Sequence, residues 1–420
     1  MNERPPREIL VAGAGIAGLT AAIALADRGF AVRVFERAPE LQEIGAGLQL
    51  SPNATRLLTR LGVLDLLTSS AVAPPAIVLR DARNLKALAQ VPLGADAEKR
   101  WGAPYLVTHR ADLQAALLAA AKRRPRISLV TGATVQEVDL QASHVSLMVE
   151  IGGQVEPFSG ALLVGADGVW SELRTKGAPG GAARFSDQMA WRRTLPAGDQ
   201  RISWFPGDLT VNAFLHPGFH LVAYPLRGGS QINLVAFTKT NGRAEESWSA
   251  AADPLPLRKA MASTAPEMAR LAVGGEAWRT WPVYTVDNSI RWVRDRLVLI
   301  GDAAHALTPF AAQGAAMAIE DAVTLAAVIG EAVGITNGTE VAKVLSLSDT
   351  ARLRQALLAW EASRKSRLAA VRKRGAFNEF VWHASGPFAL ARNLVLRARP
   401  PQSLAADMDW LYGWEPGASG

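Results

Sequence analysis

The chain has 420 residues, 49% hydrophobic and 20% charged, a composition that fits a globular protein large enough for more than one domain. It has no cysteine, which excludes disulfides, thiolate metal sites and a redox-active thiol pair. The net charge of +7 is mild, and no apolar run reaches membrane-spanning length. We therefore expect a cytoplasmic protein with no metal site, no nucleic-acid partner and no stable membrane association.

The first predicted element is a short buried strand over residues 9–12, which runs into the pattern G-x-G-x-x-G at Gly13, Gly15 and Gly18. A helix over 19–26 and a second strand follow, and the second strand ends at Glu36. In such a unit the glycines permit a tight turn, let backbone approach a pyrophosphate and pack helix on strand. An acid at this distance can accept from a ribose hydroxyl. The unit predicts a dinucleotide site without deciding between NAD and FAD.

The middle of the chain changes from helical to sheet-forming sequence. Residues 181–281 consist of short apolar–polar runs separated by glycine and proline, and six of the twelve tryptophans lie between Trp191 and Trp292. This predicts an antiparallel sheet over a ligand cavity. The other elements predicted up to this point are helices at 53–61, 110–123 and 255–271, a strand at 127–135, and hairpins at 76–91 and 145–155.

The last third returns to a buried strand at 296–300 and then to long helices at 313–333 and 349–377. The densest basic cluster, within 364–374, alternates with apolar positions and predicts a helix face, not a nucleic-acid surface. The last forty residues are expected to be aromatic and irregular. The predicted domains are a discontinuous nucleotide-binding domain, a substrate-binding sheet domain and a C-terminal helical and aromatic tail: 1–75 with 101–180 and 285–345, 76–100 with 181–284, and 346–420.

Two further motifs follow buried strands. Asp302 comes directly after one, at the edge where α/β proteins bind ligands, and could accept from a polyol hydroxyl or cap the next helix. Pro309, Gln313 and Gly314 then precede a long helix whose N-terminus favours negative charge. Asp167 and Gly168 follow an earlier strand, although Asp-Gly is also a common turn pair.

Together these motifs, in this order, resemble the group A flavoprotein monooxygenases, the single-component aromatic hydroxylases. The resemblance implies an α/β (α+β) fold like that of p-hydroxybenzoate hydroxylase, with a Rossmann-like FAD-binding domain interrupted by an antiparallel-sheet substrate domain, and C-terminal helices. It implies FAD as cofactor and NADH or NADPH as transient electron donor. By the resemblance, Arg110 contacts the cofactor and Asp167 serves both the FAD and the nicotinamide. The full set of implied cofactor residues is Gly13, Gly15, Ala17, Gly18, Glu36, Arg37, Gly47, Arg110, Val135, Asp167, Asp302, Gly314 and Ala315.

A narrower resemblance lies at His220 and Tyr224, which would share one face of a strand or helix. The pair resembles one in 3-hydroxybenzoate 6-hydroxylases and 6-hydroxynicotinate 3-monooxygenases, where it deprotonates or holds the substrate hydroxyl. A phenolate is more electron-rich than a phenol, so a base near the hydroxyl would help oxygen attack. The alternative is a histidine and a tyrosine that only pack in a sheet.

Four residues are weaker pocket candidates: Tyr105, Gln313, Gln49, and Arg192 as a carboxylate ligand. At Gln49 the 6-hydroxynicotinate enzyme has a histidine, so this sequence departs from it. His305 is expected to be structural.

The resemblance implies hydroxylation of a phenolic aromatic acid, a hydroxybenzoate or hydroxypyridine, through a flavin C4a-hydroperoxide. The partners are then the aromatic substrate and O₂, and the protein is a monomer or homodimer. Three alternatives remain at this point: a flavin monooxygenase or epoxidase of a non-phenolic quinone precursor or terpenoid, a flavin dehydrogenase, and a non-catalytic flavin-binding protein.

Overall fold

The computed structural model describes residues 8–41, 47–176, 181–240, 254–273, 278–334 and 347–417. They form a mixed α/β fold with one mainly parallel sheet, one mainly antiparallel sheet and a helical C-terminal region. Among these residues no helix is both long and apolar enough to cross a membrane.

The described strands form two large sheets, of six and seven strands, and two small ones, of three and two strands. In chain order their bounds are β1 Glu8–Ala12, β2 Ala31–Glu36, β3 Gly47–Leu50, β4 Ala76–Asp81, β5 Ala87–Pro92, β6 Leu106–His109, β7 Ile127–Thr131, β8 Ala133–Leu140, β9 Val145–Ile151, β10 Gln154–Gly160, β11 Leu162–Gly165, β12 Arg184–Pro196, β13 Val211–His216, β14 Phe219–Leu226, β15 Gln231–Lys239, β16 Arg279–Thr285, β17 Val293–Arg294 and β18 Leu297–Leu299.

Helices pack against both large sheets and form the C-terminal region. Their bounds are α1 Ile16–Ala26, α2 Pro52–Arg60, α3 Leu64–Leu67, α4 Ala95–Trp101, α5 Arg110–Lys122, α6 Glu172–Thr175, α7 Leu255–Met261, α8 Pro266–Arg270, α9 Asp302–His305, α10 Gly314–Ala332, α11 Leu347–Trp382, α12 Gly386–Ala398, α13 Pro401–Ala406 and α14 Asp409–Tyr412.

The six-stranded sheet has the order β17-β18-β11-β1-β2-β7, and all its pairs except β17–β18 are parallel. Its central strands are buried on both faces, which explains why β1 and β11 are continuous apolar runs instead of alternating ones. Because parallel strands end at the same edge, the residues after β1, β2, β11 and β18 meet there.

The seven-stranded sheet has the order β16-β12-β15-β14-β13-β4-β5 and is antiparallel except between β13 and β4. Strands β4 and β5 enter it early in the chain, β12 to β16 complete it, and β18 then returns to the parallel sheet. The chain path is therefore interrupted as expected, although the exact domain boundaries stay a prediction.

Most predicted elements are found, with three corrections. The strand predicted at 127–135 breaks into β7 and β8 because Gly132 takes a left-handed conformation (φ +63°). The helix predicted at 255–271 is two helices, the second opening at Pro266. The prediction of an irregular C-terminus was wrong, because α12, α13 and α14 lie within the last forty residues.

A buried cluster of charges joins α10 to α11. Glu320 and Asp321 are fully buried, and the Arg364 guanidinium donates to both, at 2.7 and 2.8 Å. Arg367 donates to Glu320 as well. Two arginines of the basic cluster that stands out in the sequence are therefore paired with buried carboxylates inside the protein.

Candidate active site

A cleft of about 420 Å³ opens at the carboxyl edge of the parallel sheet, where the three sequence motifs converge. We call it the motif cleft. Residues after β1, β2, β11 and β18 contribute to its wall, together with the N-terminus of α10. Of the thirteen residues that the resemblance implied for the cofactor, twelve line it, and Arg192 also lines it: Gly13, Gly15, Ala17, Glu36, Arg37, Gly47, Arg110, Val135, Asp167, Asp302, Gly314 and Ala315.

The glycines of the first motif are needed for different physical reasons. At Gly13 (φ +103°) a Cβ would lie 2.4 Å from the Ala166 carbonyl oxygen, and at Gly18 it would lie 1.9 Å from the Gly13 carbonyl oxygen. Both glycines are required by packing inside the protein, and of the two only Gly13 also lines the cleft. At Gly15 and Gly314 a Cβ would meet no atom within 4 Å. Both line the cleft, so the space beside them is open to a bound group.

Glu36 lines the motif cleft. Its carboxylate accepts from the Ala14 amide at 2.8 Å and from the Ala38 amide at 2.9 Å. The carboxylate is thereby fixed beside the glycine turn, and carboxylate oxygens have enough lone pairs to accept a further donor.

Asp167 and Trp170 present polar atoms that are buried and without a partner among the described residues, namely Asp167 Oδ1 and Trp170 Nε1. Burial raises the pKa of Asp167, while hydrogen bonds to Ser171 and Leu173 oppose that rise. An acceptor and a donor left unpaired in a protein wall are costly unless a ligand satisfies them.

Asp302 begins α9 with its side chain exposed to the motif cleft. The preceding Gly301 amide donates to Asp321 Oδ2, and His305 Nε2 donates to the same oxygen. Burial alone would raise the pKa of Asp321, but His305 and Arg364 outweigh it and hold the pKa well below its ordinary value. Asp321 thus anchors the loop that carries Asp302, and His305 has the structural position expected of it.

Tyr224 lies where the seven-stranded sheet meets the motif cleft. A Cβ at Gly47 would lie 2.7 Å from the Tyr224 hydroxyl oxygen, and the Gly47 amide donates to Asn233 Oδ1 at 3.2 Å. Burial raises the pKa of Tyr224, so its phenol stays protonated at neutral pH, although the nearby Arg192 charge acts against that rise. The Arg192 guanidinium lies 4.9 Å from the centre of the Trp281 ring.

His220 is buried on the same face of β14 as Tyr224, opposite the face that packs into the core of the sheet domain. Its ring stacks on Phe237 at 4.8 Å and lies 5.1 Å from Phe310, in the segment just before α10. Its Nδ1 is 3.1 Å from Nε2 of His383. Burial lowers the pKa of His220 well below its ordinary value, and His383 lowers it further.

The remaining pocket candidates are engaged with neighbouring side chains. The Tyr105 hydroxyl donates to Gln49 Oε1 at 2.6 Å. Gln313 is buried, donates to Ser51 Oγ at 2.9 Å and accepts from Asn53 at 3.2 Å. The Gln313 amide therefore fixes the start of α10 against α2 in this structure.

Sequence reasoning missed three residues at the site. Trp170 stands two residues after the Asp-Gly pair, so the motif itself contained the signal. Asn233 pairs with Tyr224 across β14 and β15, and its buried Nδ2 has no partner among the described residues. His383 is 163 residues from His220 in sequence, and no local pattern marks it.

Comparison with known proteins gives consistent matches. The FAD binding domain family matches residues 7–362. The 3-hydroxybenzoate 6-hydroxylase of Polaromonas naphthalenivorans (strain CJ2) is 34% identical over 413 residues, 97% of this chain and 96% of that protein. The 3-amino-4-hydroxybenzoate 2-monooxygenase of Streptomyces cremeus is 33% identical over 407 residues, 96% of this chain and 94% of that protein.

Solved structures agree on the fold. A salicylate hydroxylase substrate complex has a TM-score of 0.77 at 21% identity, covering 98% of this chain and 96% of its own. Klebsiella pneumoniae HpxO complexed with FAD and uric acid has a TM-score of 0.76 at 25% identity, covering 96% of this chain and 95% of its own.

The motif cleft fits FAD on observations of its own residues. Open space beside Gly15 and Gly314 allows close approach of a large group to backbone. The amides at the N-terminus of α10 and a fixed carboxylate at Glu36 offer complementary partners for charged and hydroxyl groups. The unpaired Asp167 and Trp170 atoms would gain partners on binding.

Proposed function

Because the chain belongs to the FAD binding domain family and is an FAD-dependent monooxygenase, we propose that it hydroxylates a phenolic aromatic acid with NADH or NADPH as electron donor. The observation that carries the proposal is the position of Tyr224 and His220. Both lie on one face of β14, and Tyr224 is in contact with Gly47 in the wall of the motif cleft.

FAD, when bound and reduced, would supply the two electrons that activate dioxygen, and one atom of that dioxygen would enter the ring while the other leaves as water. The residues that would hold it are those lining the motif cleft. Glu36 would accept from the adenosine ribose, and the region around Asp302 would accept from the polyol chain. The backbone at Gly314 and Ala315 would face the flavin ring with the positive end of the α10 dipole.

Tyr224 and His220 would manage the substrate hydroxyl. The Tyr224 phenol, kept protonated by burial, can donate to a phenolate oxygen but cannot deprotonate a phenol. His220, kept neutral by burial, has a bare nitrogen that can accept the phenolic proton. His220 is therefore suited to remove the proton, and Tyr224 is suited to stabilise the resulting phenolate.

Arg192 supports an acid as the substrate class. It lies in the wall of the motif cleft, stacks on Trp281 and is close enough to Tyr224 to influence its pKa. A guanidinium held by an aromatic ring is well suited to bind a carboxylate. Phe237, Phe310 and the neighbouring aromatic rings around His220 would exclude water from the reacting centre.

The test is a screen of the flavin-loaded protein with hydroxybenzoates, aminohydroxybenzoates and hydroxypyridines, run with NADH and with NADPH. We expect at least one phenolic acid to stimulate NAD(P)H oxidation and to yield a product that contains one atom from labelled O₂. Benzoate without a hydroxyl group is the matched control. Oxidation without oxygen in the product would instead indicate a dehydrogenase, and a product only from a non-phenolic compound would refute the phenolic assignment.

A further inference from the structure

The contact between His220 and His383 links the protonation of the two rings. One of the two facing nitrogens, Nδ1 of His220 or Nε2 of His383, must carry the hydrogen and the other must accept it, because two bare nitrogens or two N–H groups form no bond. In a neutral His220 the other nitrogen, Nε2, is then bare when Nδ1 carries the hydrogen, and carries the hydrogen when Nδ1 is bare. Whether His220 meets a ligand as a base or as a donor is therefore coupled to the tautomer of His383.

We propose that His383 receives, through His220, the proton that a phenolic substrate gives up in the pocket, and passes it to water. The proposal rests on the proposed function, since it needs a phenol beside His220. His383 acts through His220 and touches no substrate itself.

The transfer is balanced and leaves both rings neutral. At the start each histidine carries its hydrogen on Nδ1. The phenol O–H bond breaks and the hydrogen bonds to Nε2 of His220, while the Nδ1–H bond of His220 breaks and that hydrogen bonds to Nε2 of His383. The Nδ1–H bond of His383 breaks last, and its proton leaves to water. At the end each histidine carries its hydrogen on Nε2, and the substrate is a phenolate that accepts from His220.

Burial favours this route over a charged His220. It lowers the pKa of His220 well below its ordinary value, so an imidazolium there would be an unstable resting place for the proton. Burial also lowers the pKa of His383, to about 4, and nearby positive charges act in the same direction. Neither ring keeps the proton, so a path through both of them is needed.

The charged and titratable groups around His383 come from β13, β14, β15, α11 and α12. Positive groups dominate, and Glu379, one turn earlier on α11, accepts from Gln188 at 2.9 Å. His216 is already committed elsewhere, because its Nδ1 accepts from the Gly218 amide and its Nε2 faces Ser263 Oγ at 3.1 Å. The charged and titratable neighbours are Lys239 on β15, His216 on β13, Arg392 on α12, Glu379 on α11 and His220 on β14.

The exit from the pair is at Nδ1 of His383. This atom is buried and has no hydrogen-bond partner among the described residues. His383 follows the last residue of α11, and the chain reaches the surface two residues later at Ser385, while Lys239 beside it is exposed. A polar atom of this kind gains a partner when a water molecule reaches it from the nearby surface.

The experiment measures the release of the phenolic proton to solvent, not the rate of product formation. Flavin-loaded protein is mixed with 3-hydroxybenzoate in weak buffer, without NAD(P)H, and a pH-indicator dye records proton release in a stopped-flow instrument. The parent protein should release about one proton per bound 3-hydroxybenzoate as the phenol ionises. His383→Asn should bind the probe with similar affinity but release the proton about 10²-fold more slowly, since loss of a positioned proton-transfer group costs at least that much.

Two further variants separate transfer from structure. His383→Ala should show the same slow release, and added imidazole should restore much of the rate by occupying the space of the lost ring. His216→Asn is the matched control, since it removes a neighbouring histidine whose two ring nitrogens are paired with Gly218 and Ser263, and it should release protons at the parent rate. Flavin content and thermal midpoint confirm that each variant is folded.

The outcomes distinguish the relay from the proposed function. Proton release by His383→Asn at the parent rate would overturn the relay, as would a His383→Ala rate that imidazole leaves unchanged. Release of no proton by the parent on binding would also overturn it. The proposed function is judged separately, from the oxygen-containing product of the parent enzyme, and survives each of these results if that product forms.

Discussion

The phenol of Tyr224 lies so close to Gly47 that a single methyl group at Gly47 would overlap it, with Cε2 at 2.6 Å and the hydroxyl oxygen at 2.7 Å. Gly47 belongs to the wall of the motif cleft, and Tyr224 belongs to the seven-stranded sheet. The seven-stranded sheet therefore meets the small two-stranded sheet of β3 and β6 through this contact, and Tyr224 stands next to the space assigned to the cofactor.

Gly47→Ala should consequently displace Tyr224 and Asn233, whose Cγ would lie 2.9 Å from the new Cβ. We expect kcat/KM for a hydroxybenzoate to fall by about 10-fold or more, since small displacements of positioning groups cost that much. Gly198→Ala is the control, because no atom lies within 4 Å of a Cβ there. Steady-state kinetics on flavin-loaded protein measure the effect, and equal values for the two variants would contradict the assignment.

Asp302→Asn should weaken FAD binding by about 10-fold or more while leaving the unliganded fold intact. The side chain is exposed to the motif cleft, so its charge contributes little to packing. A charged acceptor for a polyol hydroxyl is worth more than a neutral one. Flavin titration of the apoprotein gives the affinity, with Asp65→Asn, an exposed carboxylate on α3, as control. Unchanged affinity would remove Asp302 from the cofactor set.

The local motifs could be predicted from sequence because their physics is local. Gly18 is fixed by a close contact with the Gly13 backbone five residues earlier, so the pattern G-x-G-x-x-G carries much of its geometry in itself. The same holds for His220 and Tyr224, whose spacing of four places them on one face of a strand. In the glycine motif, the contact of Gly13 with the Ala166 carbonyl, after the neighbouring strand β11, is the part that is distant in sequence.

The features that could not be predicted from the sequence depend mainly on contacts between distant segments. His383 reaches His220 only because α11 runs 36 residues and ends beside β14, and nothing in the sequence around His383 indicates that end point. Gln313 has the residue type of a pocket group, but its amide is bound by Ser51 and Asn53, which no spacing relates to it. Helix α12 was missed although Ser385 and Pro387 offered start signals, because the aromatic composition suggested irregular structure.

Asp321→Asn tests the anchor beneath the Asp302 loop. Asp321 Oδ2 accepts from the Gly301 amide and from His305, and its Oδ1 accepts from Arg364. Removing one partner of a buried ion pair typically costs about 3–5 kcal/mol, because the other charge stays buried. We expect a lower free energy of unfolding together with weaker FAD binding.

Glu331→Gln is the control for Asp321→Asn, since it removes an exposed charge from the same helix, α10. Denaturant unfolding and flavin titration report the two effects. Full stability in Asp321→Asn would show that the buried charge network does not hold this loop.

The free energy of unfolding should fall on acidification below about pH 6.5. Burial lowers the pKa of His383 from 6.5 to about 4, and the pKa of His220 also falls, so between these values the unfolded chain binds protons that the folded protein does not. Stability from this source is complete above the ordinary histidine pKa and is lost as the pH falls towards 4.

His383→Asn should therefore flatten the pH dependence of stability by about 1–2 kcal/mol between pH 7 and pH 4.5, after allowance for solvent near this half-buried ring. His144→Asn, which removes a surface histidine bound to Ser143, is the control. Urea unfolding at a series of pH values measures the slopes, and equal slopes for the two variants would show that the environment of His383 does not suppress its protonation.

The last prediction concerns the coupling of NAD(P)H oxidation to hydroxylation. His220→Ala should still bind an aromatic acid, since Arg192 is untouched, but should hydroxylate it about 10²- to 10⁴-fold more slowly because the proton acceptor is gone. Electrons delivered by NAD(P)H would still reach dioxygen, so H₂O₂ formed per NAD(P)H consumed should rise steeply. Tyr224→Phe should show a weaker version, because it removes the donor to the phenolate and leaves the acceptor in place.

A purely structural His220 predicts a different pattern. Its ring stacks on Phe237 and contacts Phe310, so truncation would leave a cavity, lower the thermal midpoint and release flavin. In the fraction that stays folded and flavin-loaded, product and H₂O₂ per NAD(P)H would then equal the parent values. Measuring both products on flavin-loaded His220→Ala, with His216→Asn as a control histidine on the adjacent strand β13, decides between the two roles, and unchanged coupling would exclude the catalytic one.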